Sequence, residues 1–305
     1  MSGGILPCEK TITTAYNARS TAATGDTHVS DDSRPPDRNP GNVSGLAYEL
    51  DGSGSPLLVL HGFTGSSADW AQMLPELTAH HTVIAPDIIG HGHSPAPSEP
   101  SAYQIEQAVA DLLALLDRLD YVEFDLLGYS MGGRVAMALA ATAPQRVRHM
   151  ILESASPGIA DPQERAARAA ADDHLADRIE GEGLEWFVDH WAGIPLFASQ
   201  SRLPETARTA LRKRRLCGSA RGYANSLRGM GAGRMTPLWD RLPYLPLPTL
   251  VISGELDQKY AAIGEQIARI MPRAEHVIVP DAGHTVHLEA PQAFAQIVVR
   301  YLEKP

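Results

Sequence analysis

The stretch Leu126-Leu127-Gly128-Tyr129-Ser130-Met131-Gly132-Gly133-Arg134-Val135-Ala136 decides how this chain is read. An apolar run of strand type enters Gly-x-Ser-x-Gly and leaves as an apolar run of helix type. The two glycines permit a turn tight enough to thrust Ser130 out at the strand's C-terminal end. Its hydroxyl is then exposed beside the backbone N–H of Met131, at a helix N-terminus. Three fixed positions filled by common residues recur by chance in roughly one chain in ten of this length, so the pattern acquires weight only from its context.

The context supplies an acid and then a histidine, each after its own strand. Pro248-Thr249-Leu250-Val251-Ile252-Ser253 runs into Gly254-Glu255-Leu256-Asp257, and Val277-Ile278-Val279-Pro280 runs into Asp281-Ala282-Gly283-His284. A closing helix follows, with Phe294, Ile297, Val298 and Tyr301 on its inner face. Upstream, Leu57-Leu58-Val59-Leu60 leads into His61-Gly62-Phe63-Thr64-Gly65, whose Phe63 N–H would be a second oxyanion donor beside that of Met131. Singly, Asp257 reads as a cap residue and His284 as one of 12 histidines. Jointly, in the order Ser, acid, His and at strand ends, Ser130, Asp257 and His284 read as a catalytic triad on an α/β architecture, the alpha/beta-hydrolase fold with a mostly parallel sheet. The Gly-rich turn Asp87 to Ser94, with His91 and His93, reads as a loop shape near the ligand.

With 305 residues, 44% of them hydrophobic, the chain has ample material for one large domain with an insertion. A formal net charge of −10 argues against a nucleic-acid surface, and no stretch approaches a membrane span. Two cysteines, Cys8 and Cys217, are too few for a disulfide framework or a metal site, which points to a reducing, cytoplasmic setting. No cluster of Cys, His and carboxylates is spaced for a metal, and no cofactor is expected. Residues 1–44, rich in Ser, Thr, Asp, Gly and Pro and without the apolar core of a secretory signal, are expected to be a disordered tail. The core is expected over 45–158 and 241–305, with a helix from about Tyr103 to Leu119 packing on the sheet.

Between them, strand signals vanish over 159–240, where a helical lid is expected over the site. Asp161 and Pro162 are suited to a helix start as N-cap and first helical residue, and Arg165 and Arg168 follow three apart. Arg208, Arg212 and Arg215 share a second helical face, and Arg134 lies one turn beyond Ser130. Most lid arginines are read as a solvated face with acidic partners. In a chain of net charge −10, however, their concentration over a catalytic serine points to an anionic small-molecule substrate, which guanidinium groups bind bidentately. Trp186, Phe187 and Trp191 offer apolar walls or lid-to-core packing in equal measure.

Several segments together resemble one family. They are Gly128 to Arg134, Glu153-Ser154-Ala155-Ser156-Pro157-Gly158, Arg165-Ala166-Ala167-Arg168, Trp191 before Pro195-Leu196-Phe197-Ala198, and Gly254 to Tyr260. The chain is similar over 45 to 303 to the 2-succinyl-6-hydroxy-2,4-cyclohexadiene-1-carboxylate synthases of menaquinone biosynthesis. The resemblance implies a lyase that eliminates pyruvate from a tricarboxylate, an enolpyruvyl cyclohexene bearing a succinyl chain. It makes Ser130, Asp257 and His284 the triad, used as a general base. It makes Tyr129, Arg134, Arg168, Trp191 and Arg215, or Arg212 in its place, the substrate contacts. Two other readings stay open: a serine hydrolase of esters or carbon-carbon bonds with an anionic substrate, and a non-catalytic ligand-binding protein on the same fold.

Overall fold

The computed structural model describes residues 45–304. The tail expected over 1–44 lies outside the described residues. In chain order the elements are β1 (Tyr48–Gly52), β2 (Ser55–Leu60), α1 (Leu74–Thr78), β3 (His81–Pro86), α2 (Ile105–Arg118), β4 (Phe124–Tyr129), α3 (Met131–Thr142) and β5 (Val147–Glu153). Then come α4 (Pro162–Glu182), α5 (Leu184–Ala192), α6 (Glu205–Leu216), α7 (Ala220–Met230), β6 (Thr249–Gly254), α8 (Gln258–Ile270), β7 (Ala274–Val279), α9 (Val286–Glu289) and α10 (Pro291–Leu302).

The seven strands form one sheet in the order β1-β3-β2-β4-β5-β6-β7. Only β1 is antiparallel, pairing Tyr48 with Pro86 and Gly52 with Thr82 on β3; the other neighbours are parallel. Every residue of β3, β4 and β6 is buried, as a parallel sheet covered on both faces requires. The pleat divides each apolar run between two cores. Leu58, Leu60 and Leu126 face α2, α3 and α8, while Leu57, Val59 and Leu127 face α1, α9 and α10. The expected helix near Tyr103 to Leu119 is α2, preceded by a 3₁₀ turn at Pro100–Tyr103.

Helices α4 to α7 and a 3₁₀ stretch, Pro195–Arg202, fill the interval between β5 and β6, where strand signals are missing from the sequence. Helix α4 starts as its sequence prescribes: Pro162 opens it, and Asp161 Oδ1 accepts the N–H groups of Gln163 and Glu164, both at 2.8 Å. A separate apolar cluster holds this segment together, with Ala176 and Ile179 of α4 against Phe187 and Val188 of α5 and Tyr223, Ala224 and Leu227 of α7. Phe63, from the loop after β2, packs against that cluster.

Candidate active site

Strand β4 delivers Ser130 and helix α3 leaves from it. Ser130 holds φ 51° and ψ −106°, a region that L-residues rarely occupy and that costs about 1–3 kcal/mol. The close passage of the two glycines explains how the turn is made. A Cβ on Gly128 would stand 2.5 Å from the Gly132 carbonyl oxygen, and one on Gly132 would collide with the Leu60 carbonyl of β2. The β4–α3 turn therefore presses on the end of β2, beside the loop that carries Phe63.

The two remaining members arrive from β6 and β7. Asp257 caps α8, with Oδ1 accepting the Tyr260 N–H at 3.3 Å, while Oδ2 lies 2.6 Å from His284 Nδ1. His284 Nε2 lies 3.0 Å from Ser130 Oγ. His284 is 1% exposed and Asp257 8%, so the carboxylate faces the imidazole with little water between them. With Nδ1–H donated to Asp257, Nε2 is left as the acceptor for the serine proton, the tautomer that base catalysis through Ser130 requires.

One pocket gathers most of the residues singled out in the sequence. Phe63, Tyr129, Ser130, Met131, Arg134, Arg168, Trp191 and His284 all line it, joined by Leu196, Phe197, Leu227 and Tyr260. The Phe63 ring is wedged among Phe187, Trp191 and Tyr223 at 5.1–5.9 Å, tying the loop after β2 to helices α5 and α7. Tyr129 is buried, its hydroxyl 2.8 Å from Thr285 Oγ1, and burial pushes that hydroxyl well above the usual tyrosine range.

The arginines separate into two kinds. Arg134 donates to the Met230 carbonyl at 2.8 Å while its Nε has no partner; burial lowers the stability of its charge. Arg168 Nε is held by Asp172 at 2.8 Å. Arg215 is 5% exposed, stands 5.4 Å from the centre of the Phe197 ring, keeps an unpartnered Nε and is likewise depressed by burial. Arg212 is different. It faces outward into ion pairs with Asp189 and Glu185 at 2.7 and 3.1 Å, so of the two positions left open in the sequence the structure turns Arg215 inward. Arg165 closes the loop before its own helix by donating to the carbonyls of Ile159 and Ala160. Of the aromatic trio, Trp191 lines the pocket, Phe187 packs in the helical cluster, and Trp186 stacks on His190 with Arg178 4.2 Å from its ring.

Three contributors escaped the sequence reading. Tyr260 packs 4.6 Å from the His284 ring, and burial raises its hydroxyl although Arg134 and Arg168 oppose the shift. Asp172 is buried beside Arg168, and burial raises its carboxyl against the pull of that arginine. The third is the buried pair of Glu153 with His287, 2.7 Å apart. Glu153 and Tyr260 stood in segments that carry the family resemblance without a role being assigned to them, and Asp172 was signalled by its i,i+4 spacing from Arg168. Among the described residues no group of three or more His, Cys, Asp or Glu is arranged to hold a metal, and no helix is long and apolar enough to cross a membrane.

Comparison with known proteins places this geometry. Residues 55–291 match the family model described as alpha/beta hydrolase fold. The chain is 42% identical over 257 residues to a putative 2-succinyl-6-hydroxy-2,4-cyclohexadiene-1-carboxylate synthase of Bacillus subtilis (strain 168), covering 84% of this chain and 93% of that one. Among solved structures it resembles MenH from S. aureus, with a TM-score of 0.81 and 31% identity over 86% of this chain and 98% of that one. It also resembles a thermophilic esterase from Thermogutta terrifontis with malate bound, with a TM-score of 0.76 and 30% identity over 84% and 92%.

Proposed function

The chain belongs to the alpha/beta-hydrolase fold family and, within it, to the 2-succinyl-6-hydroxy-2,4-cyclohexadiene-1-carboxylate synthases, and from that premise we propose how its residues carry out the reaction. It is an enzyme of menaquinone biosynthesis, a carbon-oxygen lyase. It eliminates pyruvate from 2-succinyl-5-enolpyruvyl-6-hydroxy-3-cyclohexene-1-carboxylate to give 2-succinyl-6-hydroxy-2,4-cyclohexadiene-1-carboxylate.

His284, oriented by Asp257, makes Ser130 basic enough to take the ring proton alpha to the succinyl ketone. The proton passes through Ser130 Oγ to His284 Nε2, and the electron pair of the C–H bond moves into the enolate. The N–H groups of Phe63 and Met131 hold the enolate oxygen; one such donor contributes on the order of 3 kcal/mol to lowering the barrier. When the enolate collapses, the carbon-oxygen bond to the enolpyruvyl group breaks, and pyruvate leaves as its enol after recovering the proton. The helical segment 159–240 serves as a lid, and Arg134, Arg168 and Arg215, with Tyr129 and Trp191, hold a substrate bearing three carboxylates. The observation that carries this reading is the pairing of the hydrogen-bonded Ser130, His284 and Asp257 with two arginines whose Nε is unpartnered, the half-buried Arg134 in the pocket wall and the buried Arg215 beside the pocket's Phe197. A pocket for simple apolar esters has no use for such cations.

The test is to make the enolpyruvyl precursor in place from isochorismate and 2-oxoglutarate with the preceding synthase, and to follow pyruvate. Release above the spontaneous rate, abolished in Ser130→Ala, is the expected result; release at the spontaneous rate with wild-type enzyme contradicts the reading.

A further inference from the structure

Glu153 ends β5, is 0% exposed, and has no part in the proton path proposed above. Its main-chain and side-chain ends meet different partners, one of them Ser130 itself and the other His287, a neighbour of His284 in the chain. The main-chain carbonyl accepts the N–H of Ser130 at 2.8 Å. The carboxylate takes His287 in three contacts: Oε1 accepts the backbone N–H at 3.0 Å and lies 2.9 Å from Nδ1, and Oε2 lies 2.7 Å from Nδ1. His287 lies in the first turn of α9, three residues beyond His284, so holding His287 fixes the short segment that presents the catalytic imidazole.

The space between the two histidines is filled. Tyr129 packs against both rings, 5.5 Å from His284 and 4.8 Å from His287, and its hydroxyl meets Thr285 Oγ1, which also accepts from Gln200 Nε2 at 3.0 Å. Trp70 covers His287 at 4.8 Å. A buried ion pair is a costly way to hold a loop, because both partners lose their water; what it provides over an apolar contact is direction.

We propose that Glu153 is a positioning residue for the catalytic pair, registering Ser130 through its carbonyl and His284 through the His287 clamp, so that the 3.0 Å Ser130–His284 separation is set from one anchor. The inference rests on the reading of Ser130 and His284 as the reacting pair. Loss of the carboxylate releases the His284 end while the carbonyl still holds Ser130. The proton path lengthens, whereas the arginines that bind the substrate are untouched.

The rate at which a fluorophosphonate probe labels Ser130 reads this geometry without depending on the natural substrate. In Glu153→Gln, at a temperature where the variant is folded by circular dichroism, labelling is expected to slow by about tenfold to a hundredfold, with kcat for pyruvate release falling alike and KM unchanged. Asp125→Asn is the control for lost stability alone. Asp125 is another buried carboxylate, paired with Arg148 and His149 at 2.6 and 2.8 Å and carried by the opposite end of β4 from Ser130, and its loss is expected to lower Tm and leave labelling unchanged. Should Glu153→Gln fail to fold, His287→Asn, which removes the imidazole and keeps a donor, is expected to show the same slowing. Wild-type labelling rates in the folded Glu153 or His287 variant overturn the proposal, as does equal slowing in Asp125→Asn. A wild-type enzyme that does not label contradicts the reading of Ser130 itself.

Discussion

In the proposed mechanism Ser130 concentrates the chemistry in one side chain, and its removal separates binding from turnover. Ser130→Ala is expected to abolish pyruvate release while a dicarboxylate such as succinate still binds by calorimetry, because the arginines stay. Arg134→Ala removes a charged donor from the pocket wall; with charged hydrogen bonds contributing about 1.5–3 kcal/mol, KM is expected to rise by about tenfold to a hundredfold. An unchanged KM removes Arg134 from the carboxylate contacts. Arg212→Ala breaks only pairs whose acidic partners are 78% and 56% exposed, so steady-state kinetics are expected to match the wild type within twofold. A KM rise equal to that of Arg215→Ala would show that Arg212 turns inward in the working enzyme. At this scale the hydrogen-bonded set of Ser130, His284 and Asp257 was legible because each residue follows an apolar strand. The choice between Arg212 and Arg215 was not, because three residues along a helix turn a side chain from solvent to interior only by where the helix packs, which helical spacing leaves free.

Element boundaries follow from residues that stop or start a structure. Asp161 donates no charge to the site but satisfies two N–H groups of α4, and Asp161→Ala is expected to cost about 1 kcal/mol, lowering Tm by roughly 2–4 °C in a chain of this size. The β5–α9 contact through Glu153 and His287 carries a pH dependence. Burial opposes the charge on His287, but Glu153, aided by Asp69 and opposed by Arg214, raises the imidazole above its ordinary value of 6.5. Its folded value thus lies above its unfolded one, so the pair's stabilisation is fully present below about pH 6.5 and is lost as pH rises through the folded value. The Tm gap between wild type and His287→Asn is therefore expected to narrow as pH rises above about 6.5; a gap that widens contradicts a charged His287. Parallel strands announced themselves as unbroken apolar runs. The antiparallel β1 did not, since four of its five residues are exposed and it pairs on one side only. The 3₁₀ stretch at Pro195–Arg202 falls inside the interval read as helical, but nothing in the sequence distinguished it from the α-helices around it.

At the scale of the molecule, one sheet edge brings a carboxylate, an imidazole and a serine hydroxyl into hydrogen-bond contact, and the helices between β5 and β6 add cations. That edge alone serves hydrolysis and elimination equally, which is why relatives of near-equal structural likeness include both MenH from S. aureus and an esterase. The elimination reading depends on the arginines, and the net charge of −10 makes their inward placement the more telling, since acidic surface partners are plentiful. The fold was legible from strand-end motifs in series; the Glu153–His287 anchor was not, because its partners are 134 residues apart and meet only when β5 and α9 pack together. The most direct test sets both chemistries side by side in one preparation, following pyruvate release from the enolpyruvyl precursor and cleavage of p-nitrophenyl acetate. The account predicts elimination that outpaces ester cleavage by several orders of magnitude in kcat/KM, both lost in Ser130→Ala. Efficient ester cleavage with pyruvate appearing only at the spontaneous rate would contradict it.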